Sequence, residues 1–154
     1  MKATPATLRR IMNLWPPFLF SGIRVEAIAD DWRYARVRLK LRWYNRNYVK
    51  TQFGGALFAM VDPFWMILTL EALRHEYIVW DKAGEIEFIA PGRSDVIAEI
   101  RIDDAMLAEI RVATANGDKH LRWCDTEIKT EAGELIARVR KQIYVRGKQE
   151  NGAN

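Results

Sequence analysis

Apolar and polar side chains alternate with several different periods along this chain, and each change of period marks an element. Across residues 33–43, Ala35, Val37, Leu39, Leu41 and Trp43 are interleaved with Arg36, Arg38, Lys40 and Arg42. A period of two predicts a strand with one buried face. Residues 22–30 predict a partner strand, with Asp30 and Asp31 in the turn between the two. Upstream, Leu8, Ile11, Met12 and Trp15 fall on one helical face behind Thr4 as N-cap and Pro5 at the first helical position. That pattern predicts a short amphipathic helix over 4–15, ended by Pro16-Pro17. After a polar loop over 44–54, the pattern becomes almost wholly apolar and predicts one long central helix over about 55–74. Strand-like runs at 77–82 and 85–90 flank Ala83-Gly84, a candidate bulge. Pro91-Gly92 turns the chain, and Val96, Ala98, Ile100 and Ile102 alternate in a further strand. Asp103 or Asp104 caps a helix over 105–115 that stops at Gly117. Two last strands, 119–130 and 134–146, are joined by Glu131-Ala132-Gly133, a hairpin signal.

The sum is an α+β chain: an antiparallel sheet wrapped around a long central apolar helix, in a single domain over 1–146. The polar tail, 147–154, is expected to be disordered. The 154 residues, 49% hydrophobic and 29% charged, have the composition of a soluble folded domain. The central apolar segment approaches the length of a membrane span, but Asp62 and Pro63 interrupt it, which favours a buried core helix and no membrane. A lone cysteine, Cys124, excludes an internal disulfide and points to a reducing compartment, the cytoplasm. The N-terminal apolar run is broken by prolines and lacks a cleavage site, unlike a signal peptide.

Net charge is +4, which suits an anionic ligand without arguing for nucleic acid. The basic row Arg36, Arg38, Lys40 and Arg42 reads as a solvated sheet face answered by acids such as Glu85, Glu87 or Glu99. Phosphate or nucleic-acid contact is the alternative, and Arg138, Arg140 and Lys141 carry the same two readings. Arg93, after Pro91-Gly92, is a loop cation placed to contact phosphate.

The segment NYVKTQFGGALFAMVDPFW, residues 47–65, carries the candidate chemistry. Asp62 is a carboxylate inside an apolar helix, where a charge is costly unless it is used or solvated. Its neighbour Pro63 offers a structural alternative, an acid satisfying a backbone donor at a kink. Gly54 and Gly55 leave backbone N–H groups uncovered where a developing oxyanion would be held, or else permit close helix–strand packing. Asn47 and Gln52 are polar loop candidates for contact with substrate; Phe53, Phe58, Phe64 and Trp65 would line an apolar slot or the core. His75 and His120 are isolated, so no metal site is indicated. Ser21 and Ser94 lie in no nucleophile motif, and no phosphate-binding or dinucleotide fingerprint is present, so no cofactor is called for.

In element order and in its loop-helix segment the chain resembles the hotdog-fold thioesterases over residues 20–146. Residues 47–62 resemble the phenylacetate-pathway type of acyl-CoA thioesterase, and more closely an uncharacterised hotdog family similar to it. The thioesterase pattern is an Asn, a Gly three residues later, then His-Gly-Gly and an apolar helix bearing an Asp. Here Asn47 takes the first place, Lys50 the Gly place and Phe53 the His place, followed by a matching Gly54-Gly55 and by Asp62 at the acid position. The resemblance implies an acyl-CoA or acyl-carrier thioester as substrate, with coenzyme A part of the substrate and not a cofactor. It implies Asp62 as base or nucleophile, the Gly54 and Gly55 N–H groups as oxyanion donors, and Asn47 as a group orienting water or the carbonyl. It also implies a homodimer or dimer of dimers in which Gly55 of one subunit faces Asp62 of the other. Phe53 in the His place keeps a non-catalytic thioester-binding protein open as the alternative. A hydroxyacyl-thioester dehydratase ranks below it, because those usually present a His beside the acid.

Overall fold

The computed structural model describes residues 4–148. Its strands are β1 (Ile23–Ile28), β2 (Tyr34–Leu39), β3 (Tyr77–Phe88), β4 (Val96–Arg101), β5 (Lys119–Thr130) and β6 (Leu135–Gly147). They form one antiparallel sheet in the order β1-β2-β4-β5-β6-β3. The period-two rows become its inner face: Val25, Ala35, Val37, Leu39, Val96, Ala98, Ile100, Ile128, Val139 and Ile143 are buried. Gly147 still belongs to β6, and Lys148 N–H donates to Glu76 O at 3.0 Å. The strand therefore outruns the expected start of the tail at 147, and the remainder of that tail, 149–154, lies outside the described residues.

Helices α3 (Gly54–Ala59) and α4 (Phe64–Ala72) replace the single helix expected over 55–74. Pro63 has no N–H to continue the ladder, so the chain turns through Met60–Pro63 and restarts at Phe64. The stretch Gly54–Ala72 is long and apolar enough to cross a membrane by composition alone. Here it packs under the sheet, with Ala56, Leu57, Met60, Val61, Phe64, Trp65 and Leu68 buried.

Three further differences have plain causes. Pro16-Pro17 does not end helical structure. It ends α1 (Pro5–Leu14) and opens α2 (Pro16–Ser21), because proline suits a first helical position. Strand β2 stops at Leu39, short of the expected 43: Leu41 N–H turns to Asp95 Oδ1 at 2.9 Å, and Trp43, expected inward, is exposed. The runs at 77–82 and 85–90 are one strand, β3, whose register slips by one residue at Lys82, beside the expected bulge. Helix α5 (Asp104–Ala113) forms as expected, with Asp103 Oδ1 accepting from Met106 N–H at 2.7 Å.

A second bulge places Glu26 out of register on β1. Its carboxylate accepts from Arg36 Nε at 2.9 Å and from Arg38 Nε; Arg36 also reaches Glu99, and Arg38 reaches Glu131 in the β5–β6 turn. Arg36 and Arg38 are thus answered by acids, of which Glu99 was expected; Lys40 and Arg42 lie beyond β2 and have no ion pair among the described residues. Glu85 and Glu87 lie farther along the sheet, within 4 Å of Arg140 and Arg138 respectively. Burial pushes the Glu26 carboxyl up, but the hydrogen bonds from Arg38 and Arg36 outweigh it and hold it below its usual range. A carboxyl depressed in the folded state stabilises fully above its unfolded value of about 4.3, and that stabilisation fades as pH falls through the folded value. Glu26→Gln is therefore expected to cost about 1–2 kcal/mol in urea unfolding at pH 7. The deficit should shrink steadily as the same comparison moves below pH 4 (about the unfolded value).

Candidate active site

The loop before α3 is held by Asn47. Its Nδ2 donates to Thr51 Oγ1 at 2.9 Å and to Gln52 O at 3.2 Å, and its Oδ1 accepts from Thr51 N–H at 2.9 Å. Both ends of that amide are committed to the loop, so Asn47 positions the residues that follow it. Lys50 lies inside this loop at φ +66°. That is the left-handed region where a Cβ is strained and where glycine is at ease. The Gly place of the motif is thus a conformational requirement that Lys50 meets only because Asn47 clamps both sides of it.

Gln52 is buried. Its Nε2 donates to Leu39 O at 3.1 Å and Ser94 O at 3.0 Å, while Oε1 is buried without a partner among the described residues. Phe53 stands at the N-cap of α3, makes no capping hydrogen bond, and is 56% exposed. A Cβ on Gly55 would come within 2.6 Å of the Phe53 ring, and one on Gly54 within 2.8 Å of the Phe88 ring. The Gly-Gly step therefore makes room for two aromatic rings over the helix start. Neither Gly54 nor Gly55 N–H has an acceptor among the described residues. Asn47, Thr51, Gln52, Gly54 and Leu57 line a groove of about 410 Å³ with Phe88–Gly92. Phe53 lines a smaller one, about 290 Å³, with Phe20, Tyr44 and Arg46. Asp62 opens into neither.

Asp62 occupies the turn between α3 and α4, with its side chain 47% exposed. Its Oδ1 accepts from Lys141 Nζ at 2.5 Å, and its Oδ2 has no protein partner among the described residues. Lys141 projects from β6 onto the inner face, with a side chain only 5% exposed. Room for it comes from Gly84, its register partner on β3, whose Cβ would meet Phe58 at 2.6 Å and Lys141 Cδ at 3.2 Å. The Phe58 ring covers the ammonium at 5.2 Å. Asp81 of β3 lies 3.6 Å away on the other side. Burial pushes the Asp81 carboxyl up; the Lys141 charge pulls it down and the Asp62 charge pushes it up again.

Lys141 thus leaves the outer face on which it was grouped with Arg138 and Arg140, both of which are exposed. A signal existed in the sequence: Lys141 is in phase with Val139, Ile143 and Val145, the buried positions of its strand. Asp81 is likewise in phase with Val79.

Trp65 is core: its Nε1 donates to the buried Thr126 Oγ1 at 2.9 Å. Arg93 is exposed and makes no side-chain hydrogen bond or ion pair among the described residues. Burial pushes the Cys124 thiol up to about 11, which makes it a poor nucleophile. His120 pairs with Glu109 of α5 at 2.8 Å, and His75 with Glu71 of α4 at 2.9 Å, each far from Asp62 in the chain.

A family model described as Domain of unknown function (DUF4442) matches residues 4–145. None of the curated proteins matches the chain. Among solved structures, the chain is similar to the Pseudomonas aeruginosa protein PA5026, described as of unknown function and a probable thioesterase. That pair has a TM-score of 0.78 and 21% identity, over 96% of this chain and 99% of the other. It is similar to the Chlorobaculum tepidum protein OLEI01261, of unknown function, with a TM-score of 0.73 and 17% identity over 94% and 98%. It is also similar to the Haemophilus influenzae thioesterase HI1161, with a TM-score of 0.68 and 15% identity over 99% and 97%. The architecture is the hotdog fold, with the helical segment as filling and the antiparallel sheet as wrapping.

Three substitutions check the local geometry. Lys50→Gly is expected to raise stability by about 1 kcal/mol, since it releases left-handed strain; denaturant melts of both proteins measure it. Trp65→Phe is expected to cost about 1–2 kcal/mol by leaving the buried Thr126 hydroxyl unpaired. Adding Thr126→Val should then cost less than it does in the native background, as a double-mutant cycle would reveal.

Proposed function

The chain belongs to the family described as Domain of unknown function (DUF4442), and on that premise we propose that it is a hydrolase of acyl thioesters, with acyl-CoA as the substrate. The observation that carries this is Asp62: a carboxylate at the motif's acid position, half exposed, with one oxygen held and the other free. The fold supports it, since solved structures of the same fold include proteins described as thioesterases.

Asp62 Oδ2 takes a proton from a water, and the water oxygen adds to the thioester carbonyl carbon. The carbonyl oxygen becomes an oxyanion, and the unpaired N–H groups of Gly54 and Gly55 are the donors that stabilise it. The C–S bond then breaks, the acid is released, and the departing sulfur recovers the proton from Asp62. Asp62 lies past the end of α3, in the turn before α4, and lines neither groove beside the Gly-Gly step. A carbonyl held at Gly54 and Gly55 would therefore not meet Asp62 of the same chain. The site is therefore formed by two copies, Gly54 and Gly55 of one facing Asp62 of the other, in a homodimer or dimer of dimers. The lone, buried Cys124 fits a cytoplasmic protein.

One observation favours a second reading. Phe53, in the His place, can neither donate nor accept a proton, and its ring lies over Gly55. A protein that binds acyl thioesters without turning them over would also suit that geometry.

Free-thiol release from short, long and aromatic acyl-CoAs separates the two. Native turnover that falls by about 10²- to 10⁴-fold in Asp62→Asn supports the hydrolase. Saturable binding of the same acyl-CoAs with no thiol released selects the binding protein. Mixing Asp62→Asn with Gly55→Val subunits is expected to restore roughly a quarter of native turnover if each site draws on two copies. Neither variant alone should recover it.

A further inference from the structure

We propose that Lys141 is a positioning residue for Asp62: its buried ammonium holds one oxygen of the carboxylate that performs the chemistry and so fixes that group's orientation. The proposal rests on the thioesterase role of Asp62 and adds a residue that the loop-helix motif does not contain, 79 positions away in sequence.

An ammonium buried to this degree is costly unless it is paired. Lys141 has two carboxylates to pair with, Asp62 Oδ1 at 2.5 Å and Asp81 Oδ1 at 3.6 Å, and they come from different elements. Three charges of two signs leave the cluster with one net negative charge. Across β5 the neighbour in register is Cys124, a thiol kept neutral by burial, with Arg122 Nη1 3.5 Å from its sulfur. No carboxylate besides Asp62 and Asp81 lies within 4 Å of Lys141 Nζ among the described residues.

Geometry fixes the division of labour. Asp81 is the more buried carboxylate, with its Oδ1 fully enclosed. Asp62 is the more exposed one, and Lys141 takes only its Oδ1, which leaves Oδ2 without a protein partner among the described residues. The Phe58 ring and the absence of a Cβ at Gly84 confine the lysine stem to this one path. A long flexible side chain is thereby made rigid, as a group holding a general base must be. The motif's lost His leaves no other cation in contact with the acid among the described residues.

The test uses the full chain, with Lys141→Met and Asp81→Asn beside the native protein. Asp62 is followed by carboxyl carbon NMR titration, with its signal assigned by loss in Asp62→Asn, and by the pH profile of kcat/KM for thiol release. In Lys141→Met, where the contacting cation is removed, the Asp62 midpoint and the acid limb of kcat/KM are expected to rise. In Asp81→Asn, where a negative neighbour is removed and the lysine kept, both are expected to fall. A midpoint that stays at the native value in Lys141→Met overturns the proposal. If Lys141→Met does not fold, an unmoved midpoint in Asp81→Asn overturns it and a lowered one supports it. A native protein that releases no thiol would sink the hydrolase reading alone, because the titration still decides the partnership of Lys141 and Asp62.

Discussion

A curved antiparallel sheet has one inner face, and something apolar must cover it. In this chain the stretch from Gly54 to Ala72 does so, through Leu57, Met60, Val61, Phe64 and Leu68. Burial of these side chains against Val37, Ile100, Val139 and Ile143 is the main favourable term in folding. That covering segment carries two charges: Glu71 in its last turn, beside His75, and, in its middle, Asp62. The sheet answers it with a single inward lysine, and everything distinctive about the site follows from that pairing. Lys141 needs a glycine opposite it, an aromatic lid above it and a second acid beside it, and Gly84, Phe58 and Asp81 supply these.

The outer face follows a different electrostatic logic. Glu26, Arg36, Glu99, Arg38 and Glu131 form a chain of ion pairs across β1, β2, β4 and the β5–β6 turn. Farther along, Arg138 and Arg140 meet Glu127, Glu85 and Asp125 across neighbouring strands. The pairs of Arg138 and Arg140 are largely solvated and individually worth little, whereas Glu26, Arg36 and Arg38 are mostly shielded from water. Together they pair cations that would otherwise read as a nucleic-acid surface. On the inner face the corresponding pairing is that of Lys141 with Asp62 and Asp81.

Much of the fold was legible because burial on one face imposes a period. The rows of β2, β4, β5 and β6 alternate as a half-buried sheet must, and Asp103 capping α5 and Gly133 turning the β5–β6 hairpin are local chemistry. What misled lay where local signals met a competing partner. Trp43 continues the alternation of β2 in sequence, but the Asp95 carboxylate takes the backbone N–H of Leu41 in place of a neighbouring strand. Pro63 could be read either as a tolerated kink or as a stop, and the turn at Met60–Pro63 divides the segment. For the site, Asn47, Gly54, Gly55 and Asp62 could be picked out from the motif. Lys141 shares the phase of Val139, Ile143 and Val145, but that signal was outweighed because a lysine in a strand is almost always on the wet side.

By itself, then, the sequence determined which faces are apolar, where the turns fall, and that one acid interrupts an apolar segment, since these depend on neighbours a few residues apart. Only the tertiary structure decided that the acid's counter-charge is Lys141, that Gly84 and Phe58 enclose it, and that Lys50 is held in a glycine's conformation. Those are contacts between residues far apart in the chain or between competing loop hydrogen bonds. No period or propensity encodes them; they exist only once the sheet has closed around its helices.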